Sequence, residues 1–125
     1  MIIGFKPQFC QKILDWSKIH TIRADKKGRW KEGNLIDMAT GVRTKEFKYF
    51  CRDRHCTGVQ RIYIEPVKKA VWVDNKLLEA WEIALLAKND GFETTAAFWQ
   101  FFPITFSGKI IHWTQFRYSQ KEAAR

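Results

Sequence analysis

Ser17-Lys18-Ile19-His20-Thr21-Ile22-Arg23 places an amine, an imidazole, a hydroxyl and a guanidinium within one short window. Ile19 and Ile22 tie that window to something apolar. Read as a strand from Ile19 onward, its side chains alternate between faces, with Ile19, Thr21 and Arg23 on one side and His20 and Ile22 on the other. Lys18 falls at the turn entering the strand, where its long stem reaches back over Thr21. The plainer reading is an edge strand with solvated charges, so the remaining sequence has to separate the two.

Before this window, Ile2-Ile3-Gly4-Phe5 reads as a short strand. Pro7 suits the first turn of a helix, where its missing N–H costs nothing. Phe9, Ile13, Leu14 and Trp16 supply an apolar stripe ending near Ser17. After the window, Ala24 to Gly33 is a charged loop whose Arg29, Trp30 and Lys31 offer contacts to phosphate and base, or simply form a solvated turn. Leu35 to Thr40 is a strand, and Thr44 to Cys51 alternates in part. Arg52-Asp53-Arg54-His55 reads as the turn before Thr57–Glu65, where Val59, Arg61 and Tyr63 alternate with Gln60, Ile62 and Ile64 as in a half-buried strand. Ala70 to Val73 follows as another strand.

Asp74 or Asn75 is placed to cap the longest helix, Lys76 to Lys88, with Leu77, Leu78, Trp81, Leu85 and Leu86 on its buried face. Asn89-Asp90-Gly91 ends it, Gly91 being free to take a left-handed cap. Thr94 or Thr95 caps a short aromatic helix, Ala96 to Phe102, and Gly108 to Thr114 is a last strand. Trp72, Trp81, Phe101 and Trp113 are expected in the core, while Phe98 and Trp99 are split between core and cleft, since the helix carrying them borders the cleft. Strands outnumber helices and their spacing is too irregular for repeated βαβ units. The expected class is therefore α+β, a small mixed β-barrel with flanking helices, in one domain over 1–118 and a polar tail over 119–125.

At 125 residues the chain can build a core without disulfides or metal, and its 46% hydrophobic content argues against disorder. An odd count of three cysteines suits reduced thiols. Cys51, His55 and Cys56 fall around one turn, but three ligands at that spacing match no common zinc site, so no metal and no cofactor are expected. No apolar run spans a bilayer and the first residues lack a signal-peptide layout, so a cytoplasmic protein without a membrane partner is the expectation, a monomer being favoured. Twenty-two Lys and Arg against thirteen Asp and Glu leave a net charge of +9. Such a field favours a polyanion, and the lack of a basic amphipathic helix puts nucleic acid ahead of a lipid surface.

Lys18-Ile19-His20-Thr21-Ile22-Arg23, a Lys-x-x-Thr-x-Arg pattern after a short helix, resembles the signature of ASCH domains. Arg29-Trp30-Lys31-Glu32-Gly33-Asn34, Asp90-Gly91-Phe92 with the Phe98–Phe102 helix, and Gly108 to Trp113 resemble further parts of that family in the same order. The resemblance covers nearly the whole chain. It implies a PUA-like barrel with a basic cleft between barrel and helices, and RNA or a modified nucleoside as ligand. At the site the chain is similar to small bacterial amidohydrolases that deacetylate N4-acetylcytidine, whose catalytic set is a Lys, a Thr three residues later and a downstream Glu. Lys18 and Thr21 match the first two, and Asp90, one methylene shorter, stands at the place of the third.

The resemblance thus makes Thr21 the nucleophile, Lys18 its base and Asp90 the acid and water activator. A lysine amine serves as base only where burial or neighbouring cations lower its pKa. Two alternatives stay open. A non-catalytic single-stranded-RNA module would use Lys18, Arg23, Arg29 and Lys31 on phosphates, with Trp30, Tyr49 or Trp99 stacking on a base. A metal-dependent ribonuclease ranks last, for want of clustered carboxylates. Asn89-Asp90-Gly91 is also good helix-ending chemistry in itself, and Arg23 is a candidate ion-pair partner for Asp90. His20, facing away from Thr21, reads as a packed or surface histidine.

Overall fold

The window around Thr21 becomes a strand, β2 (His20–Arg23), in a computed structural model that describes residues 1–118. β2 runs antiparallel to β8 (Phe106–His112), with Thr21 opposite Ile111 and Arg23 opposite Lys109. β8 pairs on its other side with β5 (Gly58–Glu65), which continues into β6 (Ala70–Val73) and the two-residue β7 (Lys76–Leu77). The order β2-β8-β5-β6-β7 makes a five-stranded sheet. A second sheet of order β1-β3-β4 comprises β1 (Ile2–Gly4), β3 (Leu35–Thr40) and β4 (Lys48–His55), with β1 and β3 parallel. The protein is thus mixed α+β and mostly strand. The expected barrel is corrected in one respect: among the described residues the ladders form two sheets, not one closed ring. Residues 119–125, read as a polar tail, lie outside the described residues.

Three helices complete the fold: α1 (Cys10–Leu14), entered through a 3₁₀ turn at Pro7–Phe9, α2 (Ala80–Asn89) and α3 (Thr95–Phe101). The first is shorter than its apolar stripe suggested. Phe9 and Ile13 are buried, whereas Leu14, its last residue, and Trp16 beyond its end are exposed, Trp16 in a left-handed conformation. The longest helix begins four residues later than expected. Asp74 and Asn75 do not cap it; both take positive φ and turn the chain between β6 and β7. That two-residue turn is the kind whose twist matches flanking strands. The Glu82 carboxylate instead reaches back to the Glu79 N–H at 2.8 Å, so the cap lies at Glu79.

Two aromatic side chains expected inside are outside: Trp81 is 64% exposed and Phe101 45%. Trp81 sits in the first turn of α2, whose inward face is Ile83, Leu86 and Ala87. The segment Arg52 to His55, expected as a turn, continues β4 instead. Asp53 takes a positive φ there while its N–H donates to the Asp37 carboxylate, and the register with β3 slips. This is the signature of a bulge rather than a chain reversal. Buried side chains of both sheets and the helices meet in one cluster that includes Met38, Ile64, Ile110, Leu86 and Phe98.

Candidate functional site

The sequence Asn89-Asp90-Gly91 ends α2 against the start of β2. The Ile19 N–H donates to the Asn89 carbonyl at 2.9 Å, and the Trp113 N–H to the Ile19 carbonyl at 3.3 Å. Gly91 takes φ 96°, and a Cβ there would lie 2.9 Å from the Phe9 ring and 3.1 Å from the Lys18 stem. Only glycine allows both the turn and that approach. The helix end is thereby pressed onto Lys18, seventy-two positions away in the chain.

Lys18 is 2% exposed, contrary to the flexible turn position expected for it. Its Nζ donates to the Asp90 carbonyl at 2.6 Å and to Asp90 Oδ1 at 3.1 Å. The Phe9 ring lies 4.9 Å from the amine. Burial pulls the Lys18 pKa below its ordinary 10.5; the Asp90 charge and hydrogen bond oppose this, and Arg23 and Lys12 add to it.

His20 approaches Asp90 from the other side, its Nδ1 3.0 Å from the same Oδ1, while Nε2 lies 2.6 Å from the Tyr118 hydroxyl. Burial lowers the His20 pKa and raises that of Tyr118, so a neutral imidazole faces a protonated phenol. The network then assigns the protons. Asn89 Nδ2 donates to the Tyr118 oxygen at 3.0 Å, Tyr118 donates to His20 Nε2, and His20 Nδ1–H donates to Asp90. Asp90 is fixed from both sides.

Lys18, Thr21, Arg23 and Asp90 all line one cleft of about 460 Å³. Its walls are apolar, with Phe5, Phe9, Phe92, Phe101, Phe102 and Phe106 among them, and Lys6 adds a cation. Thr21 is 3% exposed, and its Oγ1 accepts from Arg23 Nε at 3.1 Å. Arg23 spends a second donor on the Gly4 carbonyl at 2.7 Å and lies over the Phe5 ring. It makes no direct ion pair with Asp90 among the described residues, correcting the pairing considered for it.

The other expected contacts lie elsewhere. Trp30 is in the core, held there as the loop folds over Asp25, whose carboxylate accepts from the Arg29 and Trp30 N–H groups. Arg29 and Lys31 are exposed and do not line the cleft. Tyr49 packs on Phe47 beneath the Arg52 guanidinium, and Trp99 lies half-buried beside Lys69. Among the described residues no three His, Cys, Asp or Glu side chains gather as a metal site. No helix there is long and apolar enough to cross a membrane. Tyr118 went unrecognised as part of the network, and a lone aromatic ninety-eight residues from His20 carries no sequence signal of that role. The chain has no match among protein-family models, curated proteins or solved structures.

Proposed function

We propose that the protein is an ASCH-like, PUA-like amidohydrolase that takes a modified nucleoside into the cleft and hydrolyses an exocyclic amide such as that of N4-acetylcytidine. The observation supporting this reading is the meeting of Thr21, Lys18 and Asp90 on the wall of one aromatic hollow. A flat base fits phenylalanine walls better than a free phosphate would, and a site lined mostly by apolar groups with few convergent polar ones is the usual form for small ligands.

In its neutral form Lys18 has two N–H groups, and Asp90 engages two, leaving the amine lone pair uncommitted. Thr21 Oγ attacks the amide carbonyl and Lys18 takes the hydroxyl proton. Lys18 stands 3.1 Å from Asp90, so the proton passes through the carboxyl to the departing nitrogen. The cytidine amine leaves and an acetyl ester remains on Thr21. Water then gives a proton to Asp90 and attacks the ester; the acyl group departs as acetic acid, which ionises to acetate, while the Asp90 proton passes through Lys18 to the Thr21 oxygen and restores both groups.

The decisive assay incubates purified protein with N4-acetylcytidine and separates cytidine and acetate by chromatography. Wild type is expected to release both in equal amounts. Thr21→Ala is expected to lose at least about a hundredfold, the lower range for a positioned catalytic group. Absence of release by the wild type, or full activity in the variant, rejects the reading.

A further inference from the structure

The face of β2 that carries Arg23 into the cleft continues across the five-stranded sheet. Arg23 stands opposite Lys109 on β8, and Lys109 stands opposite Arg61 on β5. Directly opposite residues share a face and strands lie about 4.8 Å apart, so three cations form one row leading out of the cleft. Two residues along, Ser107, Tyr63, Trp72 and Leu77 stand opposite one another on β8, β5, β6 and β7. Tyr63 is 41% exposed, and its ring lies 5.7 Å from that of Trp72. Between the rows is an open hollow of about 420 Å³, to which Lys26 contributes a further cation.

Like charges set directly opposite each other destabilise a sheet. Here Asp25, 3.5 Å from Lys109, and Asp74, 4.0 Å from Arg61, offset the row only in part. An anionic chain laid along it would neutralise the remainder, and a chain with flat bases would also use the exposed Tyr63 ring and the half-buried Trp72 beside it. An acidic peptide would satisfy the cations and leave Tyr63 and Trp72 unused. We propose that this sheet face is a track for single-stranded RNA, so that the nucleoside entering the cleft belongs to a strand. The substrate half of this statement rests on the amidohydrolase reading; the track itself does not.

The test measures fluorescence anisotropy of a labelled, unmodified oligoribonucleotide of about ten nucleotides, a length within the range of single-strand sites. Titrations at about 50 and 200 mM salt should show affinity falling steeply as salt rises. Trp72→Ala should weaken binding about five- to 150-fold, the effect of losing one base stack. Arg61→Glu should weaken it and flatten the salt slope. Should Trp72→Ala fail to fold by circular dichroism, Tyr63→Ala at an exposed ring gives the same readout. Absent binding, variants that bind like wild type, or equal competition by polyglutamate would each overturn the track. Hydrolysis of free N4-acetylcytidine without strand binding leaves the enzyme reading standing and removes the track. Strand binding with the expected variant pattern but no hydrolysis retains the track and removes the enzyme.

Discussion

At the scale of single residues, His20 and His112 show what burial does to a titratable ring. Both are fully buried, His20 between Asp90 and Tyr118, and His112 with its Nε2 donating to Gln60 Oε1 at 3.0 Å. Burial lowers both pKa values from 6.5, that of His112 to about 2, helped by His20 and Arg117. His112 Nδ1 has no partner among the described residues, so nothing there would stabilise its protonated form. The unfolded chain therefore binds more protons than the folded one below pH 6.5, and stability falls as pH drops. For His112 the slope is about 1.4 kcal/mol per pH unit, reaching about 2 kcal/mol by pH 5, and His20 adds to it in the same direction. Urea unfolding at pH 7.5 and pH 5 reads this directly, and equal stabilities would show that both rings protonate in place. The strand alternation placed His20 opposite Thr21 but left open whether it packs or faces solvent. Its bond to Asp90 was not, because it depends on how α2 ends seventy residues later.

At the scale of elements, local chemistry was readable where it was local and unreadable where tertiary pairing competed. Thr94 was one of two candidate caps for the aromatic helix, and its Oγ1 does accept from the Ala97 N–H at 3.0 Å. Gly91 takes the left-handed conformation expected of it. The alternation over Thr57–Glu65 also appears, with Gln60, Ile62 and Ile64 buried and Arg61 and Tyr63 outward. Asp74-Asn75 misled because the same residue types serve caps and tight turns. What selects the turn is long-range: Asp74 accepts from the Arg61 N–H and from Gln60 Nε2, both at 3.0 Å. Trp81 misled because its spacing fits a buried stripe while α2 turns Ile83, Leu86 and Ala87 inward and leaves Trp81 outside. The cap at Thr94 supports a testable consequence, since α3 and its C-terminal end supply Phe101 and Phe102 to the cleft wall. Thr94→Ala should cost about 1 kcal/mol of unfolding free energy, with Thr94→Ser close to wild type. The measurement is the shift of the urea midpoint at unchanged slope. If alanine is neutral, the neighbouring Thr95 has taken over the cap.

At the scale of the whole molecule, the site is closed by the last segment described rather than by its own strand. After β8 the chain folds back at Thr114, whose carbonyl accepts from Arg117 Nη1, while Arg117 Nη2 reaches the Thr57 carbonyl. Tyr118 then engages Gln60 twice through its backbone and His20 and Asn89 through its hydroxyl. Trp113 adds an indole N–H to the Lys18 carbonyl at 3.2 Å. Four regions distant in sequence therefore converge behind Asp90, and the sequence window at Thr21 alone does not contain the groups that hold its neighbours. This makes the Tyr118 hydroxyl a test of whether site and fold are one structure. Tyr118→Phe keeps the ring but strands His20 Nε2 in the interior and removes the partner of the half-buried Asn89 Nδ2. Leaving a buried polar group unpaired costs about 1–3 kcal/mol, and the His20 tautomer would lose the donor that sets it. The variant should therefore unfold at lower urea and should also turn over N4-acetylcytidine more slowly, because Asp90 loses one of its two fixed donors. Lower stability with unchanged turnover would mean that Lys18 alone positions Asp90. Unchanged stability would mean that the interior accommodates the loss, and the network behind the cleft would then not be what holds the two halves of the site together.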